Sequence, residues 1–369
     1  MNYKIKDVCE VTSSRRIFAR EYKTSGIPFF RSQEIIELST KGKTIPTIYI
    51  SNDRYNELLT RGLNVPTKGD ILISAIGANR GYPWNVSFDG FYFKDGNVIW
   101  LRNFSNQCDS KYLTYALSTN KYISMLQTAS EHSAQGAITL DLIKNIEIHI
   151  PPIEKQQHIV NTIGSIDDLI ENHNKIIENL NKIGLIKINR LNKDKELIDL
   201  STIAKLEKGN ELGSLNYKDY FSDNFINYIR VGDLLSLSNT YVDKDLCNKF
   251  ADENDILIAM DGAPGRNAIG LKGTYSSGLY KVLCNEKDKG LVYYSLNSNL
   301  NQSIIRDMSQ GTTILHASKS IPFLKTINLT EEDKEYFNNI FKEIVLLKKK
   351  VSLLKCIKDR LLIKYFTNQ

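Results

Sequence analysis

The side chains whose types and spacing could do chemistry in this sequence are cations and amides set in turns. Gly77-Ala78-Asn79-Arg80-Gly81 and Gly262-Ala263-Pro264-Gly265-Arg266 each put small residues beside an arginine. Such a turn lets the backbone approach a partner closely while the guanidinium reaches in. Further candidates of the same kind are Arg15, Arg16, Arg31, Gln33, Lys41, Lys43, Tyr82 and Gln135 in the first half of the chain. Lys208, Asn210, Arg230, Asn267, Thr312 with Thr313, and His316 follow in the second. Lysine and arginine hold phosphates, and arginine, lysine, asparagine, glutamine, serine and threonine reach base edges, so the expected chemistry is that of DNA contact. A plain tight turn, a solvated basic face, or pairing of Arg31 and Arg230 with Glu34 and Asp233 are the competing readings.

Catalytic patterns are missing from the sequence. There is no G-x-x-x-x-G-K-[ST] phosphate cradle and no Asn or Asp followed by Pro-Pro and an aromatic residue. The histidines His132, His149, His158, His173 and His316 have no metal-ligand spacing, and Cys9, Cys108, Cys247, Cys284 and Cys356 form no C-x-x-C pair. A disulfide framework, a zinc site and an enzyme active site are therefore not expected. The 369 residues suffice for two domains with separate cores, and a net charge of +6 gives only weak grounds for a polyanionic partner. No apolar run reaches the length of about 18 residues that a membrane helix needs, which predicts a soluble, cytoplasmic protein without a membrane partner.

Two long helices must position the turns. After Pro151-Pro152, Ile159, Ile163, Ile166, Ile170, His173, Ile177 and Leu180 fall at 3.5 residues per step. From Phe337, the positions Phe341, Ile344, Leu347, Val351, Leu354, Ile357, Leu361 and Tyr365 keep the same step. Both are heptad seams, and a helix with one apolar stripe needs a partner to cover it. The spacing predicts an antiparallel intramolecular pair, with roughly 30 residues in each helix and a rod of about 45 Å.

The segments flanking the helices repeat. Gly69-Asp70-Ile71-Leu72-Ile73 recurs as Asn254-Asp255-Ile256-Leu257-Ile258, and Pro28-Phe29-Phe30-Arg31 as Asn227-Tyr228-Ile229-Arg230. Lys144-Asn145-Ile146-Glu147-Ile148 recurs as Lys325-Thr326-Ile327-Asn328-Leu329. Short β-like runs are expected at 45–50, 70–76, 88–93, 97–101 and 146–150, with a helical patch over 110–126. The predicted fold class is α+β, with mixed α/β domains at 1–150 and 191–329 alternating with helices at 151–190 and 330–369. The polar stretch Asn189–Glu196 reads as a linker, and the two halves as related by a pseudo-two-fold axis.

In this order and twice over, these elements resemble the DNA-specificity subunits of type I restriction-modification systems. The lead-in Pro151-Pro152-Ile153-Glu154-Lys155-Gln156-Gln157-His158-Ile159 and the Gly-Asp-Ile-Leu-Ile strand carry the likeness most specifically. The resemblance implies two target-recognition domains, each reading half of a bipartite double-stranded DNA target, with the coiled coil setting the gap. It also implies a non-catalytic subunit that docks two copies of a modification subunit, which binds S-adenosylmethionine and methylates adenine. Restriction subunits are further expected partners, and no cofactor is expected in this chain. The second helix departs from the family in its lead-in, Asn328-Leu329-Thr330-Glu331-Glu332-Asp333, which lacks the proline pair. A structural coiled-coil adaptor without DNA specificity is the alternative.

Overall fold

The computed structural model describes residues 1–60, 65–131, 136–235, 240–310 and 315–367. Its contacts divide the chain into two units, one holding Met1–Asp167 with the chain from Cys356 onward, the other Asp168–Lys355. Each unit therefore contains one sheet-bearing domain and a segment of both long helices.

The strands of the first unit are β1 (Asn2–Lys4), β2 (Glu10–Thr12), β3 (Ile27–Phe30), β4 (Tyr49–Ile50), β5 (Ile71–Ser74), β6 (Pro83–Asn85), β7 (Tyr92–Phe93), β8 (Val98–Arg102) and β9 (Glu147–His149). They form sheets of order β2-β8-β5-β6, β4-β3-β7 and β1-β9. In the second unit the strands are β10 (Leu197–Asp199), β11 (Ala204–Lys208), β12 (Phe225–Ile229), β13 (Tyr241–Asp243), β14 (Ile256–Ala259), β15 (Asn267–Ala268), β16 (Thr274–Tyr275), β17 (Leu279–Cys284) and β18 (Lys325–Ile327). Their orders are β11-β17-β14-β15, β13-β12-β16 and β10-β18, the same plan strand for strand. Registers repeat too: Leu72 faces Trp100 as Leu257 faces Lys281, and the parallel pairs are Phe29 with Tyr92 and Tyr228 with Thr274.

The repeated motif Asp-Ile-Leu-Ile is explained by this register. Every residue of β5 and β14 is buried, as a central strand requires, and the aspartate before each strand meets a donor from the facing strand. Asp70 accepts from Trp100 Nε1 at 2.9 Å and from the Thr67 amide at 2.9 Å. Asp255 accepts from the Asp252 amide at 2.9 Å and pairs with Lys281 at 3.2 Å.

The long helices are Ile153–Asp194 and Glu331–Phe366, of 42 and 36 residues, longer than the spacing alone predicts. The anticipated linker at Asn189–Glu196 is mostly helix. Ile188 is buried in the core of the second unit and Leu191 packs against it, and no Gly or Pro interrupts this polar run. Along the first seam Ile159, Ile163, Ile166 and Ile177 are buried, whereas Ile170, His173 and Leu180 are half-buried. The Nδ1 atom of His173 is buried and has no hydrogen-bond partner among the described residues. On the second helix Phe337, Phe341, Ile344, Leu347 and Val351 are buried and Leu354 is half-buried.

The heptad then fails. Ile357 is 48% exposed, and Leu362 and Phe366 are buried instead, while Leu361 and Tyr365 only flank the core. Leu354, Lys358, Leu362 and Phe366 follow at steps of 4, which turn the buried face by about 40° per step on a 3.6-residue helix and so rotate it off the heptad line, and in the first unit Leu362 and Phe366 join that unit's core. There Lys358 pairs with Asp167 at 2.6 Å and lies over the Tyr115 ring, and Phe366 meets Tyr112 with ring centroids 5.1 Å apart.

A buried amide pins each long helix to its own domain. Gln156, inside the proline lead-in and fully buried, accepts from the Asp109 amide at 2.8 Å and donates to the carbonyls of Gln107 and Pro151, both at 2.7 Å. Asn338 does the same in the second unit, accepting from the Gly290 amide at 2.7 Å and donating to the Lys287 carbonyl. The second helix lacks the proline pair but keeps the anchor. The expected helical patch at 110–126 is two helices, Ser110–Leu117 and Asn120–Glu131, because the Thr119 carbonyl accepts from the Tyr122 and Ile123 amides and restarts the helix.

Candidate nucleic-acid interface

The glycine turns occupy the same place in both units, directly after the buried strands β5 and β14. Gly77 and Gly262 take φ of 95° and 72°, a left-handed geometry that tolerates no ordinary side chain. Each turn is latched from the following helical pair: Gln127 donates to the Arg80 carbonyl at 3.2 Å and Gln302 to the Gly265 carbonyl at 3.1 Å. The two arginines then differ. Arg80 folds back, donating to Ser130 Oγ, to the Gln127 carbonyl at 3.1 Å and to the Gly77 carbonyl at 3.2 Å, and is mostly buried. It secures the last turn of helix Asn120–Glu131 by donating to the Gln127 carbonyl and the Ser130 hydroxyl. Arg266 is half-exposed, and no side-chain bond to it is found among the described residues. Of the two expected contacts, Arg80 is thus committed to its own unit.

Arg31 and Arg230 follow β3 and β12 and are drawn onto buried carboxylates. Arg31 Nη2 lies 2.8 Å from Glu34 Oε1 and 3.1 Å from Thr47 Oγ1. Arg230 Nε lies 3.6 Å from Asp233 Oδ2, with Nη2 3.0 Å from Thr240 Oγ1. The pairing reading thus holds for both, leaving each guanidinium partly exposed. Gln33 starts helix Ser32–Lys41 and Lys41 ends it, which separates them by about 12 Å along the axis. Lys41 pairs with Glu37 at 3.5 Å, and Lys43 beyond it is exposed. Arg15 is exposed and its amide donates to Tyr92 Oη at 2.9 Å, while Arg16 pairs with Asp95 at 2.9 Å. Asn79 is exposed at the tip of the first glycine turn, and Tyr82 is half-buried beside it.

In the second unit Lys208 is exposed, whereas Asn210 is tied to Asn248 and its carbonyl accepts from Tyr228 Oη at 2.9 Å. Asn267 is turned inward: it exchanges amide hydrogen bonds with Asn297 at 3.0 and 2.9 Å, which leaves little of it for a ligand. His316 Nδ1 meets Asp261 Oδ1 at 2.8 Å. Gln135, Thr312 and Thr313 lie outside the described residues.

Arg230 and Gly262 come together on a cleft of about 430 Å3, with Glu211, Tyr217, Asp233, Asp261, Ser276 and Gly278 completing its wall. Sequence reasoning missed Glu211, Tyr217 and Asp261. A signal for Tyr217 existed, since Tyr22-Lys23 recurs as Tyr217-Lys218, a pair too short to stand out in a diverged repeat.

The long helices also carry exposed apolar residues. In the second unit Leu169, Ile176 and Ile183, seven residues apart, and Leu346 and Leu353, also seven apart, face solvent. Each long helix thus carries an exposed apolar row beside its own buried seam. Among the described residues, no helix is long and apolar enough to cross a membrane, and no group of three or more His, Cys, Asp or Glu has metal-binding geometry.

Residues 1–182 match the family described as the type I restriction modification DNA specificity domain. A Haemophilus influenzae protein named as a type I restriction enzyme specificity subunit is 32% identical over 180 residues, 48% of this chain and 42% of its own length. The chain thus spans under half of that relative. The MjaX specificity subunit of Methanocaldococcus jannaschii is 24% identical over 328 residues, 80% of this chain and 75% of its own length. Among solved structures, the type I restriction-modification system S subunit from M. genitalium superposes with a TM-score of 0.57 at 17% identity, covering 98% of this chain and 94% of that one, a likeness of fold. Residues 1–182 thus carry a type I restriction modification DNA specificity domain, and the chain as a whole, with its duplicated domains and long helices, is similar to type I restriction enzyme specificity subunits.

Proposed function

We propose that this chain reads a bipartite double-stranded DNA target, one half-site per unit, and directs adenine methylation by partner subunits without catalysing it. The duplication carries this reading: two units of identical strand order, each with the same arginine–carboxylate–threonine clasp and glycine turn, differ in the side chains they present. A target of two unlike halves calls for such a pair of modules. The gap between the halves follows the number of residues in the long helices, neither of which contacts bases.

The exposed stripe of Leu169, Ile176, Ile183, Leu346 and Leu353 supplies the docking face for a modification subunit, of which two copies assemble on the chain. Heptad-spaced apolar residues beside an existing seam suit further helices joining the bundle. S-adenosylmethionine is held by that partner, and restriction subunits join the same complex, which works in the cytoplasm. The test is a methylation map of DNA from cells expressing this chain with its modification subunit. A split adenine-methylated motif with an unspecified gap is the expected result. Methylation without sequence preference would overturn DNA reading and leave a structural adaptor.

A further inference from the structure

The residues that line the cleft in the second unit have positional equivalents in the first, and comparing the two sets separates constant residues from variable ones. Tyr217 closes a 3-10 turn, its amide donating to the Ser214 carbonyl at 3.2 Å, and its ring lies 5.1 Å from Tyr228. Tyr22 closes the corresponding turn onto Ala19 at 3.2 Å and lies 5.2 Å from Phe29. The residues after these tyrosines, Lys218 and Lys23, bridge to Tyr241 and Tyr49. Arg230 sits 5.7 Å from the Tyr217 ring centroid, and Arg31 takes the same position after β3. A tyrosine and an arginine held by a buried carboxylate are therefore common to both units.

The rim around this pair is not common. Glu211 lies 195 positions after Arg16, the offset that also relates Tyr217 to Tyr22, and both rim residues bind the loop after the last parallel strand. Glu211 accepts from Ser277 Oγ at 3.2 Å, and Arg16 donates to Asp95 at 2.9 Å. Next to these, Ser276 stands where the first unit has Lys94, whose Nζ reaches Tyr22 Oη at 3.4 Å. Gly232 replaces Gln33, and Asp261, 185 positions after Ile76, adds a second carboxylate to the second unit. One rim presents acceptors and the other presents cationic donors.

The second unit's wall is also open. Gly232 has nothing within 4 Å of where a Cβ would stand, and Gly262 meets only Val231 Cγ1 at 3.9 Å. Positions 232 and 262 thus add no side chain between a ligand edge and the carboxylates, and Val231 supplies the apolar part of the wall. The cleft holds about 430 Å3, and Tyr217 with Arg230 offers a flat, cationic flank of the kind that sits against nucleic acid.

We infer that this cleft, and the equivalent residues of the first unit, are the base-reading sites of the two half-sites, the tyrosine and arginine supporting and the rim deciding which base edge is accepted. Glu211 and Asp261 take an edge that donates, the exocyclic amino group of cytosine or adenine. Arg16 and Lys94 take an edge that accepts, the O6 and N7 of guanine. The inference rests on the DNA-reading function proposed above.

The experiment compares methylation maps of complexes carrying Glu211→Gln or Arg16→Gln with that of the unaltered complex, and measures DNA binding to sites substituted one base pair at a time. Glu211→Gln should lose or change one base pair in one half of the motif, weakening the original site about 5- to 150-fold, and leave the other half intact. Arg16→Gln should do the converse, and it tests the inference independently should the first variant fold poorly. An unaltered complex giving a split motif that neither variant changes, or variants that weaken all sequences equally, would overturn the inference alone. An unaltered complex with no split motif would overturn the DNA-reading function as well.

Discussion

Glu34 holds Arg31 three times, accepting its backbone amide at 3.0 Å, its Nε at 3.3 Å and its Nη2 at 2.8 Å, and Asp233 repeats the backbone contact on Arg230 at 2.8 Å. Glu34 is buried, so losing the guanidinium leaves a carboxylate with only an amide and a hydroxyl to satisfy it. Arg31→Ala is expected to lower stability by about 1 to 3 kcal/mol. The lower end is the better guide because the arginine is more than a third exposed and solvent screens the pair. Chemical denaturation of the isolated chain checks this; an arginine serving DNA alone would leave the midpoint unmoved.

Gly184 faces the Tyr294 ring so closely that a Cβ would stand 2.2 Å from Cζ. The ring cannot yield easily, since it lies 5.5 Å from the Phe337 ring and its hydroxyl points to the Leu180 carbonyl at 3.5 Å. Gly184→Ala should cost about 1 to 3 kcal/mol through overpacking, despite alanine's better helix propensity. Thermal melts of Gly184→Ala, with Tyr294→Ala added as a second change, check the mechanism. The second change should make the alanine far less costly, and equal costs in both backgrounds would rule out the clash.

The anchors Gln156 and Asn338 show how much was legible in the sequence. The seam, the order of domains and the doubled Asp-Ile-Leu-Ile strand follow from periodicity and repetition, which survive divergence because a strand or helix face must stay apolar. Side-chain destinations do not follow from such patterns. Arg80 and Asn267 look like surface contacts in the sequence, yet one caps a helix end and the other pairs with Asn297, 30 residues away. Gln156 stood within a motif read for its prolines, and Asn338 within a helix read for its apolar seam. Gln156→Ala should orphan the Asp109 amide and two carbonyls, costing about 1 to 3 kcal/mol, and Asn338→Ala should do likewise in the other unit. Hydrogen exchange resolved by segment would detect the loss in residues 107–117 for the first variant and 287–297 for the second.

Asp70 and Asp255 occupy equivalent positions but should respond oppositely to neutralisation. Burial pushes the Asp70 carboxyl above the usual aspartate range, against hydrogen bonds from Thr67 and Trp100 that pull it down. A raised folded-state value means that its favourable contribution is complete only below the ordinary range, near 4, and is lost as pH rises through the raised value. Asp70→Asn should therefore be neutral or stabilising near pH 7, and its advantage should shrink as the pH is lowered toward 4. Asp255 instead answers two lysines, Lys281 at 3.2 Å and Lys289 at 3.7 Å. Asp255→Asn should destabilise by about 1 to 3 kcal/mol at pH 7, because Lys281 and Lys289 lose the carboxylate they share and keep only the Phe250 carbonyl and Glu286. Denaturation curves across that pH range distinguish the two; matching losses at pH 7 would contradict the contrast.

Ile176 lies at the centre of the stripe Leu169-Ile176-Ile183, exposed one position before the buried seam residue Ile177. The two neighbours make a clean pair of tests. Ile177→Glu buries a charge in the core of the second unit and should unfold it, whereas Ile176→Glu changes only a solvent-facing side chain and should leave the isolated chain's melting temperature nearly unchanged. Against a modification subunit the order reverses in importance: a charge in the middle of an apolar docking face should weaken the complex on the order of tenfold or more, since every 1.4 kcal/mol is a factor of ten. Sedimentation or calorimetry of the purified subunits measures it. Undiminished binding by a folded Ile176→Glu chain would assign the docking face elsewhere and leave this stripe as ordinary scattered surface.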